Sequence, residues 1–540
     1  MRSKLLWIAL TIGVAHAQVS WERLQNAQRE PQNWLMYSGS NFGQRYSTLT
    51  EVTPTNVKDL QLKWVFQSAS FEKFEATPIV ADGILYTVQA PNDIVAMDAA
   101  TGRIFWTYNY TPSTEARVCC GRVNRGLAIL GETLFMGTID GHLIAVDTRS
   151  GKPIWNIPVA RPGAGYSVTH APLIVKDKVL IGVAGGEYGI RGFIAAYDAK
   201  TGKEAWRFNT IPGPGEPGNE SWAGDSWKTG GGSVWVTGSY DPELNLTFWG
   251  VGNPGPDWNG DSRAGDNLYS DCVVALDADT GKLKWHYQFT PHDELDYDSV
   301  QVPVLGDIQF QGRPRKVIMW ANRNGLYYVL DRATGRFLIG KPFTKVTWMD
   351  GFDERGRPRK LTASAPTPDG NIVYPGVQGG TNWYSPSFSP RTGMFYIPVW
   401  DNTFSRFVKK PDTYTEGQRY LGGFPASTSF SLNRGAQANT RRPEEGHGAV
   451  LAVDAATGEK KWRLDFVDVT DSGILTTATD LLFTGNREEN FLALNARTGE
   501  LLWKTSLGGV FANGPISYAV NGRQFVAVAA GNALYVFGLR

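Results

Sequence analysis

The chain has 540 residues, 42% of them hydrophobic and 19% charged, with 61 glycines, 30 prolines and 19 tryptophans. That balance fits a folded globular protein and excludes a disordered or collagen-like one. The formal net charge is +1 and no lysine or arginine run is clustered, which argues against a nucleic-acid-binding surface.

From the N-terminus, residues 1–17 read as a secretory leader. Arg2 and Lys4 supply the positive start, Leu5–Ala15 the apolar core, and Ala15-His16-Ala17 the small-x-small cleavage site before Gln18. The apolar core is too short to span a bilayer, and no later run is long and apolar enough. The expectation is an exported, periplasmic protein without a membrane span, whose residues 18–540 form one domain. Loss of Arg2 and Lys4 leaves 51 basic against 52 acidic residues, a formal charge of −1.

A nine-residue phrase, Asp-x-x-Thr-Gly-x-x-x-Trp, then recurs along the chain. It stands at Asp98–Trp106, Asp147–Trp155 (with Ser for Thr), Asp198–Trp206, Asp277–Trp285, Asp454–Trp462 and Asn495–Trp503. Weaker copies begin at Asp331 and Ser389, with Ile339 and Ile397 at the Trp position, which makes eight units. Apolar runs such as Leu143-Ile144-Ala145-Val146 precede the phrase. Asp or Asn opens a turn, Gly supplies the positive φ that closes it, and the phrase reads as a β-hairpin. The Trp on the following strand can wedge between neighbouring units. Length alone suggests three or four domains, but a repeat of this period indicates one object, an all-β, eight-bladed propeller of four-stranded blades. The starts lie 49, 51, 79, 54, 58, 65 and 41 residues apart, so the Asp198–Asp277 interval holds an insertion.

There are three cysteines and no Cys-x-x-Cys-His, hence no c-type haem attachment. Cys119 and Cys120 are adjacent. Their Cα atoms lie about 3.8 Å apart, below the usual disulfide window. A bond between them closes an eight-membered ring, and such bonds tend to be functional. The bland alternative is a pair of small buried side chains. Cys272 falls in a strand pattern and reads as core packing. Gly213-Pro-Gly-Glu-Pro-Gly218 formally matches a dinucleotide fingerprint, but it holds two prolines, follows no clear strand and opens no helix.

Chemistry gathers in three stretches: Gly185-Gly-Glu187-Tyr-Gly189, Gly252-Asn253-Pro-Gly-Pro256, and Pro291–Asp298 with Asp296 and Asp298 two residues apart. Glu, Asn and Asp are hard oxygen ligands suited to Ca²⁺ or a similar cation. In extended chain Asp296 and Asp298 point the same way, and two carboxylates aimed at one place need a cation or a shared proton between them. Taken singly, each of these carboxylates also reads as a solvated loop residue.

Several blocks carry a resemblance. Cys119-Cys120-x4-Arg125, Gly230–Asn259, Asp277–Asp298, Trp320–Arg332 and Gly379–Pro390 resemble, in order and spacing, the pyrroloquinoline quinone (PQQ)-dependent methanol/ethanol dehydrogenases. The resemblance runs from about Asn33 to the end of the chain. The family fold is an eight-bladed propeller, in agreement with the repeat. The resemblance implies that Glu187, Asn253 and Asp296 are metal ligands and that Asp296 is the catalytic base. It implies that Asp298 is the extra carboxylate that accompanies lanthanide use, and that Arg323 holds the quinone oxygens. Cys119 and Cys120 match a vicinal disulfide above the cofactor ring, and Trp235 the indole below it. Glu75, Arg125, Thr169, Ser233, Asn382 and Trp383 fall where further cofactor contacts are expected. Two positions depart from the pattern: Leu295 replaces an aromatic before the base, and Asp257 looks like a one-residue insertion after Gly252–Pro256.

The expected activity is oxidation of primary alcohols to aldehydes with PQQ and one lanthanide(III) or Ca²⁺ ion. A carboxylate removes the alcohol proton, the metal acts as Lewis acid, and the cofactor supplies the redox chemistry. The expected partners are a small primary alcohol, a soluble cytochrome c that accepts electrons and, in a homodimer, a second copy of the chain. The rival reading is a cofactor-free propeller of the same general kind, serving as an outer-membrane assembly scaffold. Such a scaffold needs neither adjacent cysteines nor the oxygen-ligand set.

Overall fold

The computed structural model describes residues 18–428 and 446–540; the leader assigned to residues 1–17 lies outside the described residues. The architecture is an all-β propeller. Among the described residues there are seven sheets of four strands and one of five, with two smaller sheets between them. The repeating unit is an antiparallel meander. In the first, Ile79–Ala81, Ile84–Gln89, Asp93–Asp98 and Ile104–Tyr108 pair in chain order. The third strand of each unit is apolar on both faces, as in Cys272–Asp277, where the first five residues are buried. Such a strand is covered on both sides by neighbouring sheets. The fourth strand alternates, as in Pro153–Pro158, because one face meets solvent.

The nine-residue phrase forms the turn between the third and fourth strands. Asp98 Oδ1 accepts from the Ala100 and Thr101 N–H groups and from the Thr101 hydroxyl, and Gly102 takes φ +73°. The Trp does wedge between units. Trp106 Nε1 donates to the Thr148 carbonyl in the next turn (3.0 Å), and its ring lies where a Cβ on Gly151 would sit, 2.5 Å away. The same contact joins Trp64 to Gly102, Trp206 to Gly281, Trp285 to Gly335 and Trp462 to Gly499. Glycine is therefore required twice over, by its positive φ and by the indole above it.

One of the eight expected units is not an independent sheet. The Ser389 turn joins Ser387–Ser389 to Met394–Asp401, the first and second strands of the sheet whose third and fourth strands flank Asp454. The Pro-Arg-Thr-Gly turn chemistry there serves a different hairpin. Conversely, one sheet has no copy of the phrase. Ile516–Val520, Arg523–Ala530 and Ala533–Gly538 take Gln61–Gln67 as their fourth strand, antiparallel to Ala533–Gly538. No turn connects strands from opposite ends of the chain, so no phrase is needed.

The long Asp198–Asp277 interval holds the run between Glu204–Asn209 and Ser239–Asp241, with two short 3-10 helices, and the loop between Leu246–Gly250 and Cys272–Asp277. Gly213–Gly218 is a turn leading into the three-residue 3-10 helix Asn219–Ser221, not a helix-opening loop. Cys272 is fully buried and free. No described helix is long and apolar enough to cross a membrane.

Candidate functional site

Loops from several sheets bring the chemistry-bearing residues together. Glu187 sits in the 3-10 turn Gly186–Tyr188 after Lys178–Gly182. Ser233 and Trp235 follow in the inserted run, and Asn253 and Asp257 lie in the loop after Leu246–Gly250. Asp296 and Asp298 follow Leu283–Gln288, and Arg323 lies in the turn between Arg313–Ala321 and Leu326–Asp331.

Arg323 is the hub. Its Nη2 donates to Asp296 Oδ2 (2.9 Å) and its Nη1 to Asp298 Oδ2 (2.7 Å), while Nε reaches the Val377 carbonyl (3.1 Å). A guanidinium presents its donors in a planar fork suited to this double grip. Asp298 Oδ1 accepts the Asn253 backbone N–H (2.9 Å). The two aspartates do converge, but not through extended chain. Asp296 takes φ +60°, a left-handed conformation that a non-glycine residue adopts at local cost, and residues 295–300 form no strand. Asp298 is not a solvated loop residue either: it is buried.

Burial dominates the electrostatics. It pushes the Asp296 carboxyl well above its ordinary range, against the pull of Arg323, with Asp298 and Glu187 adding repulsion. Asp298 is raised by burial in the same way. Burial pushes Glu187 up to about 6, and the charge of Asp298 adds to it. Asp296 nevertheless keeps 19% of its side-chain surface open, and Glu187, Trp235 and Cys119 are likewise only partly covered. Asn253, Asp298 and Arg323 beside them are buried.

Cys119 and Cys120 are joined by a disulfide. A Glu187 carboxylate oxygen and the two sulfurs lie within 4.8 Å of one another, the one such three-residue set among the described residues. Disulfide sulfurs carry no thiolate charge and are poor ligands for a hard cation, so this contact places the disulfide at the mouth of the carboxylate cluster without making it a metal ligand. The segment is held from below: Tyr188 Oη donates to the Val118 carbonyl (3.0 Å) and Arg419 to the Cys119 carbonyl (3.1 Å).

A second group adjoins the first. Arg125 pairs with Glu75 (2.9 Å) and donates to Thr169 Oγ1 (3.1 Å) and, at 3.5 Å, to the Trp235 carbonyl. Its guanidinium lies 4.3 Å from the Trp383 ring centroid and 5.0 Å from that of Trp235. Asn382 donates to the Gln378 carbonyl (3.0 Å) and accepts the Trp383 N–H (2.9 Å). Glu75, Thr169 and Trp235 thus all contact Arg125, whose guanidinium also lies over Trp383, the neighbour of Asn382. Ser233 is buried against Gly252, where an added Cβ would meet Ser233 Oγ at 2.7 Å and Asp298 Oδ1 at 2.2 Å. Leu295 is fully buried in the apolar cluster that includes Tyr297 and Trp348.

Sequence reasoning noticed Asp257 only as an insertion. The structure buries it, leaves its Oδ1 without a hydrogen-bond partner, and sets it within electrostatic reach of Asp296, Glu187 and Asp298. Four carboxylates thus share one region in which, among the described residues, Arg323 is the one guanidinium ion-paired to any of them. A cluster with surplus negative charge and an unpartnered buried oxygen fits a polyvalent cation held by hard oxygen donors.

The fold and this cluster define a class: a β-propeller that brings together an indole, a disulfide and a hard-cation donor set. The chain belongs to the PQQ-dependent alcohol dehydrogenases, since residues 34–347 match the family model described as glucose/ethanol/alcohol dehydrogenase, β-propeller domain. A model described as outer membrane protein assembly factor BamB matches residues 446–538. Quinohemoprotein alcohol dehydrogenase ADH IIB of Pseudomonas putida is 38% identical over 98% of this chain and 78% of its own length. Quinoprotein alcohol dehydrogenase PedH of Pseudomonas putida is 36% identical over 98% of this chain and 91% of its own. The structure titled europium-containing methanol dehydrogenase superposes with TM-score 0.88 at 33% identity, covering 96% of this chain and all of that one. The family works with PQQ and a lanthanide or calcium ion.

Proposed function

We propose that the protein oxidises primary alcohols to aldehydes in the periplasm, as an eight-bladed propeller spanning residues 18–540, and passes electrons to an external cytochrome c. The observation that carries this reading is the Arg323 fork gripping Asp296 and Asp298 beside Glu187 and Asn253, at the mouth marked by the Cys119–Cys120 disulfide.

Glu187, Asn253, Asp296 and Asp298 would hold the cation. Glu75, Cys119, Cys120, Arg125, Thr169, Ser233, Trp235, Asn382 and Trp383 would contact PQQ, together with Arg323. When bound, the cofactor accepts the two electrons taken from the alcohol and the cation polarises it. The protein's own part is orientation and proton transfer. Asp296 is the carboxylate of the Arg323 fork that keeps contact with solvent, so it can receive the alcohol proton. Arg323 holds Asp296 in place through a charge-assisted bond. Trp235 and the disulfide offer flat, apolar surfaces to a planar ring, and Arg125, held by Glu75 and stacked on Trp383, supplies positive charge for a cofactor carboxylate. No Cys-x-x-Cys-His occurs in the 540 residues, which supports a separate electron acceptor.

The assembly-scaffold reading has the BamB-type match at 446–538 in its favour, but the carboxylate cluster lies outside that stretch. The test is reconstitution: purified protein is mixed with PQQ and La³⁺ or Ca²⁺, and the visible spectrum and alcohol-dependent dye reduction are recorded across a panel of primary alcohols. We expect bound cofactor absorbance and turnover. Absence of cofactor binding with both metals overturns the assignment.

A further inference from the structure

We propose that Asp257 is a further carboxylate of the cation centre, reaching the ion directly or through one water and favouring a trivalent cation. The inference rests on the cation-site reading above and adds to it a residue outside the Glu187, Asn253, Asp296 and Asp298 set.

The placement is the first argument. Asp257 is 1% exposed, four residues beyond Asn253 in the same loop. Its backbone surroundings are pinned on both sides. Arg263 donates twice to the Pro256 carbonyl (3.3 and 3.0 Å), and the Trp258 N–H donates to the Leu421 carbonyl (2.9 Å). A side chain between two anchored neighbours has little freedom to swing out to water. Its Oδ1 is nevertheless without any hydrogen-bond partner. Buried carboxylate oxygens are rarely left so, because an unpaired buried acceptor costs about 1–3 kcal/mol.

The second argument is what could satisfy that oxygen. Arg263 is the other buried guanidinium near Asp257, but its N–H groups go to the Pro256 and Asp293 carbonyls and to the Asn267 side chain. The remaining neighbours within electrostatic reach are Asp296, Glu187 and Asp298, all acidic. Glu187, Asp257, Asp296 and Asp298 together carry more negative charge than Arg323, the guanidinium ion-paired within the set among the described residues, offsets. A polyvalent cation satisfies the free oxygen and the surplus charge together, and the count matches a trivalent ion better than a divalent one.

The test uses Tb³⁺ and Ca²⁺ as probes on the PQQ-loaded protein, with affinity read from tryptophan-sensitised terbium luminescence and from Ca²⁺ competition. Wild type, Asp257→Asn, Asp257→Glu and Glu187→Gln are compared. We expect Asp257→Asn to weaken Tb³⁺ binding at least about tenfold and Ca²⁺ binding less, and Asp257→Glu to restore most of the Tb³⁺ affinity. Wild-type affinity in Asp257→Asn together with weakened binding in Glu187→Gln overturns this inference and leaves the cation site standing. Unchanged binding in both overturns the cation site as well. Should Asp257→Asn not fold, the wild-type protein decides: an anomalous-diffraction map with Tb³⁺ that places the ion more than about 5 Å from both Asp257 oxygens, too far for one bridging water, refutes the proposal.

Discussion

Asp298→Asn separates metal selectivity from simple damage. Asp298 is buried and accepts from Arg323 Nη1 (2.7 Å) and from the Asn253 N–H (2.9 Å) through different oxygens. Alanine would strand both donors and half of the Arg323 fork, a loss of about 3–5 kcal/mol for a broken buried pair. Asparagine keeps the volume, and its oxygen serves one of the two donors, so the structural cost falls to about 1–3 kcal/mol for the other. What it removes cleanly is one negative charge. At an effective dielectric of about 20 a unit charge pair a few ångströms apart is worth about 4 kcal/mol. The third charge of a lanthanide therefore loses about that much more than Ca²⁺ does, and the ratio of the two dissociation constants should shift by about 10³ toward calcium. Isothermal titration of wild type and variant with La³⁺ and Ca²⁺, both PQQ-loaded, reads this ratio. A ratio within about threefold of wild type would refute the charge argument, whatever the variant does to activity.

Asp296→Asn should retain cofactor and lower turnover by about 10²-fold or more, as loss of a general base does; near-normal turnover removes Asp296 from that role. Cys119→Ala combined with Cys120→Ala should fold with little change in Tm, because bonding adjacent residues closes almost no chain loop, while PQQ retention falls; full retention on gel filtration refutes the contact. Gly151→Ala forces a Cβ to 2.5 Å from the Trp106 ring at φ +68° and should cost about 3 kcal/mol, whereas Gly393→Ala, with nothing within 4 Å at φ +69°, should cost about 1 kcal/mol; equal Tm losses would deny the indole contact its part. The metal-free fold holds the Glu187 proton up to about pH 6 against an ordinary 4.5. The stability this contributes is present below 4.5 and lost as pH rises through about 6, roughly 2 kcal/mol in all. Cation affinity should rise over the same interval, because the ion displaces the proton; thermal melts and La³⁺ titrations from pH 4.5 to 7 check both.

The repeat was legible because its turn makes narrow chemical demands: an aspartate to accept three donors, a glycine under an indole. The same demands misled at Ser389, where turn residues alone do not say which pair of strands they join. The sheet closed by Gln61–Gln67 left no phrase to find. Its signal was Trp64, which packs over Gly102 as the repeat tryptophans pack over theirs. At the site, residue types and order pointed to Glu187, Asn253, Asp296, Asp298 and Arg323, and the structure brings them together. It could not be read from spacing that Asp296 turns into the left-handed region, nor that Arg323 would gather both aspartates, because those follow from contacts 25 and 27 residues apart. Asp257 stayed hidden because burial of an acid has no local signature.

The sheet that unites Gln61–Gln67 with Ala533–Gly538 has a consequence for biogenesis. Ala533–Gly538 lies between Gln61–Gln67 and Arg523–Ala530, as an interior strand of that sheet. Until residue 538 has been made, Gln61–Gln67 has no partner strand in that sheet. Contacts this distant in sequence form slowly, so the closing step belongs to the end of folding. Lesions confined to that strand would then act on the whole sheet: a nascent chain stopped just short of it would hold every site residue and still lack the strand that pairs with Gln61–Gln67.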